Sequence, residues 1–180
     1  MVKKILIGLV AVLLVLAVFI ATRPAHFRVQ RSAQINAPSG AIFPLINDFH
    51  NWPKWSPWEK LDPGMKKTYS GAPAGTGAQY AWAGNDKAGE GRMTITDSKP
   101  NELVALKLEF LKPFSATNQG TFNLAPNAAG TRVQWSMEGD NGFLAKAFSL
   151  VMDMDSLVGK DFQEGLENLS RLAQAPPAAP

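Results

Sequence analysis

"LVGKDFQEGLENLSRL", residues 157–172, is the stretch whose period decides the fold. Leu157, Val158, Phe162, Leu166, Leu169 and Leu172 follow at spacings of one, four, four, three and three, so they share one broad face of an α-helix. Glu164, Glu167, Asn168 and Arg171 fall on the opposite side. A helix with a single wide apolar face must lay it on another apolar surface. The helical pattern runs from Phe143 to Ala173, and the chain before it has to supply that surface.

Upstream the period drops to two. In ELVALKLEFL (102–111), Val104, Leu106, Leu108 and Phe110 point one way, while Ala105, Lys107 and Glu109 point the other. Five further segments predict strands joined by short loops: Met65–Gly71, Gly77–Gly84, Gly89–Ser98, Ala116–Pro126 and Gly130–Gly139. Asn127-Ala128-Ala129-Gly130 has the composition of a hairpin loop. His26–Ile35 alternates as an opening strand, and NAPSGAIFPLINDF after it predicts a short helix. Asn36 or Ser39 can cap that helix, Pro38 suits its first turn, and Pro44 shortens or bends it. The order is strand, short helix, six strands, long helix. An α+β domain results, a curved antiparallel sheet of about seven strands wrapped around a long C-terminal helix.

Between the short helix and the second strand stands HNWPKWSPW, residues 50–58. Trp52, Trp55 and Trp58 recur every third residue, yet Pro53 and Pro57 forbid an ordinary helix through them and favour a rigid, extended path. Buried indoles there would plug one end of the sheet and pin the short helix. Alternatively, one ring lines a cavity mouth, with Trp58 the better rim candidate. Asp62-Pro63-Gly64 closes the segment as a turn.

The front of the chain is of another kind. Ile5 to Thr22 carries no charge, with Lys3 and Lys4 before it and Arg23 after it. At about 1.5 Å per residue the run spans roughly 27 Å, close to the hydrocarbon thickness of a bilayer. A cleaved signal usually has a shorter apolar core and a small-x-small site; Phe19/Ala21 and Arg23/Ala25 fit that poorly. The expectation is a single-pass anchor over residues 1–25, a domain over 26–173 and a disordered Pro/Ala tail over 174–180. The short N-terminal tail with two lysines favours a domain outside the cytoplasm. With no cysteine, disulfides and thiol nucleophiles are excluded. Net charge is +3 and no long basic block occurs, which argues against nucleic acid. Oligomeric state is not legible.

The order of elements, with "INAP" (35–38) before the first helix, "NWPKWSPW" (51–58) after it, "GEGRMTI" (89–95) in mid-sheet and "GKDFQEGLENLSRL" (159–172) at the close, resembles the helix-grip fold of the START-like (SRPBCC) superfamily. This group includes polyketide cyclase/dehydrase-like proteins and lipid-transfer domains. The resemblance covers about Phe27 to Leu172, and the apolar front end lies outside it. It implies a cavity between sheet and helix that relatives use for sterols, lipids, polyketides or other apolar molecules. It does not imply one reaction.

Candidate lining residues follow from the strand faces. Tyr80 and Trp82 share a face, as do Met93 and Ile95, Leu106 and Leu108, and Trp135 with Val133 and Met137. Phe122 on its strand and Phe162 on the helix join Trp52, Trp55 and Trp58 as candidates. A packed core has the same composition. Gly89 and Gly91 favour open space, because a sheet filled solid has little reason to omit side chains.

No catalytic constellation is recognisable: His26 and His50 are the two histidines, and no nucleophile–base, HExxH, P-loop or dinucleotide motif occurs. His50 beside Asp48 could act as a base but reads better as a solvated turn residue. Arg92, Lys107, Glu109 and Glu138 should face solvent, and no inward ionisable group is identifiable. Asp153–Glu164 imitates a calcium loop, but Leu157 and Val158 stand where an oxygen ligand and a glycine are required. No metal and no cofactor is expected. The leading expectation is a domain that binds a hydrophobic or amphipathic small molecule. A cyclase/dehydratase-type enzyme and a structural domain with a filled core are the alternatives.

Overall fold

The computed structural model describes residues 2–140, 142, 146, 147, 150 and 153–175. Seven strands form one antiparallel sheet: β1 (His26–Ile35), β2 (Lys66–Gly71), β3 (Ala78–Ala83), β4 (Glu90–Lys99), β5 (Leu103–Lys112), β6 (Ala116–Asn127) and β7 (Gly130–Asp140). Their order is β1-β7-β6-β5-β4-β3-β2, so β2 to β7 form a meander and β1 returns to pair with the last strand. The register sets Val29 opposite Met137, Phe122 opposite Trp135, and Leu106 opposite Gly120. The inward row of β7, Thr131, Val133, Trp135 and Met137, is buried throughout.

Helix α1 (Val2–Ala21) is apolar on every side from Ile5 onward, and Ile20 is its one buried residue. At 20 residues it is long and apolar enough to cross a membrane, although a signal sequence near an N-terminus meets the same test. Helix α2 (Ser39–Asn47) buries Ile42 and Ile46 against the sheet. Pro38 takes the position before its first turn and no side chain caps it, so neither Asn36 nor Ser39 plays the expected part.

Two 3-10 turns, Phe49–Lys54 and Pro57–Lys60, carry the tryptophans, where an extended path was expected. The turns are compatible with the prolines because their bonds use other donors: Asn51 N to Asp48 O, Trp55 N to Trp52 O, and Leu61 N to Trp58 O. The Asp48 carboxylate caps the first turn by accepting from His50 N at 2.9 Å.

The closing helix α3 (Met154–Gln174) begins after Asp153, whose side chain accepts from Asp155 N. The expected start at Phe143 falls mostly outside the described residues, as does the expected tail from residue 176 on. Phe162, Leu166 and Leu169 are at most 1% exposed, whereas Leu157 in the first turn is 49% exposed and outside the buried stripe. Arg31 on β1 clamps that turn: its guanidinium donates to both carboxylate oxygens of Asp155 at 2.9 Å and to the Asp155 carbonyl. Gly159 lets the guanidinium cross, since a Cβ there would collide with it.

Candidate functional site

Beneath α3 the sheet is not filled. The aromatic segment occupies one end of the concave face and leaves a cavity of about 370 Å³ towards the other. The segment is anchored through the C-terminus of α2. A helix ends with four carbonyls that have no partner of its own. In α2 these are Pro44, Leu45, Ile46 and Asn47, and each accepts from outside the helix. Asn51 Nδ2 donates to Pro44 O at 3.1 Å, Trp55 Nε1 to Leu45 O at 2.9 Å, Trp52 Nε1 to Ile46 O at 2.8 Å and Gly75 N to Asn47 O at 2.9 Å. The indole N–H groups therefore act as helix caps, while their rings pack edge-to-face on Phe122 and Trp135.

Nine of the twelve expected lining residues stand on the cavity wall. Trp52 and Trp58 come from the aromatic segment, Tyr80 and Trp82 from β3, and Met93 from β4. Leu106 and Leu108 come from β5, Trp135 from β7 and Phe162 from α3. Trp55, Ile95 and Phe122 do not reach it and are a correction: each is at most 1% exposed, in solid core. Trp55 is held back by its bond to Leu45. Ile95 and Phe122 lie two residues beyond Met93 and Gly120, where the same strand faces run into the closely packed end and α2 contacts β6. Periodicity reports a face, not a depth along it.

The glycines act differently from the expectation. A Cβ on Gly91 would strike the Trp82 ring, and one on Gly120 would come within 2.7 Å of Leu106. Each makes room for a neighbour's side chain, and both Trp82 and Leu106 stand on the cavity wall.

Four polar side chains interrupt the apolar wall: Ser56, Glu59, Lys87 and Asp161. Lys87 and Leu61 are exposed and mark the mouth. Asp161 Oδ2 accepts from Trp58 Nε1 at 3.2 Å. Glu59 is the inward ionisable group that the sequence did not disclose. Its side chain is 10% exposed, it accepts from Tyr80 Oη at 3.0 Å, and its other oxygen is ion-paired with Lys67. Arg92, Lys107 and Glu109 lie together on the outer face, where the Arg92 hydrogen bond holds Glu109 down at about 2. His50 is outside the main cavity, bonded to Asp48 at 2.8 Å and stacked on Tyr69 at 4.2 Å.

Burial pushes the Tyr80 phenol well above the usual tyrosine range, and the Glu59 charge adds to this. Tyr69 is raised for the same two reasons. These are the chain's two tyrosines. An acid raised on folding stabilises the fold fully below its unfolded value of about 10, and that contribution disappears as pH climbs through the folded value. An ultraviolet alkaline titration of the folded protein should therefore lack the Tyr80 phenolate step in the ordinary tyrosine range. Full-amplitude ionisation of both tyrosines with a midpoint near 10 in the folded protein would contradict this environment.

Residues 26–174 match the family model for "polyketide cyclase / dehydrase and lipid transport". Among curated proteins none matches. Solved structures share the fold at low identity. Protein CV1439 from Chromobacterium violaceum superposes with a TM-score of 0.60 at 16% identity, covering 86% of this chain and 100% of that one. The Aha1 dimer protein from Colwellia psychrerythraea gives 0.60 at 14%, over 84% and 99%. The di-domain ARO/CYC BexL of the BE-7585A biosynthetic pathway gives 0.60 at 12%, over 88% of this chain and 53% of that one.

Proposed function

The chain belongs to the polyketide cyclase/dehydrase and lipid transport family, and from that premise we propose that its domain binds a small apolar or amphipathic molecule between the sheet and the closing helix. One observation carries the reading: a hollow of about 370 Å³ with walls of Trp, Tyr, Phe, Leu and Met. That volume lies at the low end of the range for small-molecule sites, about 300–1,000 Å³. It speaks against the alternative of a filled core. It also speaks for a compact ligand rather than a bulky two-chain lipid. An inward carboxylate meets the minimum requirement of the enzymatic alternative, but both Glu59 oxygens already carry a donor, so we read Glu59 as an acceptor.

Helix α1 serves in this reading as a single-pass anchor over residues 1–25, with the domain of residues 26–173 outside the cytoplasm. An enzyme reporter fused after Pro180 that works only in the cytoplasm would reverse the orientation. The binding reading is tested by native mass spectrometry of the full chain in phospholipid nanodiscs. An apolar adduct of low mass, or uptake of 2-(1-naphthyl)ethanol at one equivalent, is the expected result. A chain free of adduct that takes up no naphthyl probe would remove the proposal.

A further inference from the structure

We propose that the cavity selects ligands by their head group: it accepts an apolar body ending in a hydroxyl or an amine and rejects one ending in a carboxylate. The inference rests on the cavity-binding reading and adds the chemistry of its polar pole. Among the described lining residues, the charged groups are the carboxylates of Glu59 and Asp161 and the one cation, Lys87, which is exposed at the mouth; Ser56 adds a neutral hydroxyl. Lys67 shares the sheet face of Trp82 but is not on the cavity wall, and its ammonium is ion-paired with Glu59.

Glu59 is built as an acceptor. A carboxylate offers about four lone-pair positions, and here one oxygen takes the Tyr80 hydroxyl and the other the Lys67 ammonium. That leaves capacity for a further donor from inside the cavity. Burial keeps the Tyr80 phenol protonated, so Tyr80 gives its hydrogen to Glu59. Asp161 spends one oxygen on Trp58 Nε1 and adds a second negative group to the same wall. A ligand carboxylate would meet like charge in an apolar enclosure, where electrostatic interactions are stronger than in water. A hydroxyl or ammonium would meet an acceptor already held in place.

The test uses the full chain in phosphatidylcholine nanodiscs, with empty nanodiscs as the blank. Isothermal titration calorimetry at pH 7 compares 2-(1-naphthyl)ethylamine, 2-(1-naphthyl)ethanol and 1-naphthylacetate, which share one apolar body. The amine and the alcohol should each bind at least about tenfold more tightly than the acetate. In Glu59→Gln, which removes the charge, the amine-over-acetate preference should vanish or invert. Equal binding of amine and acetate to the unaltered chain would overturn the head-group proposal while leaving the cavity as a binding site. Failure of all three, the alcohol included, would overturn the binding reading and this inference with it. The ranking on the unaltered chain decides the matter even if the variant folds poorly.

Discussion

Replacing Trp55 by alanine is expected to destabilise the domain by about 3–5 kcal/mol, the range for deleting a large buried aromatic side chain. Two effects act together. The ring is 1% exposed and packs against Trp52, Phe122 and Trp135, with centroids 4.8, 6.1 and 5.6 Å away. Its N–H also satisfies Leu45 O at the end of α2, and an orphaned buried acceptor costs roughly 1–3 kcal/mol. Phenylalanine at this position separates the two, since it keeps most of the packing and loses the cap. Trp55→Phe should therefore fall roughly 1–3 kcal/mol below the unaltered chain. Urea unfolding with matched slopes measures both. Against a typical stability of about 5–15 kcal/mol, that loss is a large share of the whole. An alanine variant within about 1 kcal/mol of the parent would mean that the aromatic clamp is not what holds α2 to the sheet.

That clamp shows where sequence reading stops. Alternation of large apolar and polar residues is local and strong, and it places every strand to within about a residue of its observed limits. The stripe of Phe162, Leu166 and Leu169 was equally plain in a helical period. The tryptophans were recognisable as pins, yet their capping of Leu45 and Ile46 was not. It depends on where ring N–H groups arrive after the chain has turned twice, and no spacing rule encodes that. Depth was illegible for the same reason: Met93 and Ile95 share a face, but one borders the cavity and the other is sealed in core. In the sequence Glu59 is only the polar neighbour of Trp58. Its one signal lay elsewhere, in Tyr80: an inward phenol on a strand needs a partner for its hydroxyl. Gly89 and Gly91 suggest open space in the sequence, whereas a Cβ on Gly91 would strike the Trp82 ring, a contact that no spacing rule foretells.

The second large effect concerns the hollow itself. Leu108→Trp should abolish most probe binding while leaving the fold intact. Leu108 stands on the cavity wall and is only partly buried, so a larger ring has space to enter rather than core to displace. If the indole denies a ligand about 100 Å² of apolar contact, the loss at about 25 cal/mol/Å² is about 2.5 kcal/mol, roughly 60-fold in affinity. Filling a void also tends to stabilise, by about 0.5–2 kcal/mol, so the melting temperature should hold or rise. Lys107→Trp is the matched control, because the neighbouring residue faces outward beside Glu109 at 2.9 Å and adds the same ring to the opposite face. Titration of 2-(1-naphthyl)ethanol into both variants in nanodiscs reads the difference. Weak binding by Leu108→Trp with unchanged binding by Lys107→Trp would assign the site to the concave face. If Leu108→Trp is folded and binds within about threefold of the parent, the molecule is held somewhere other than between the sheet and α3.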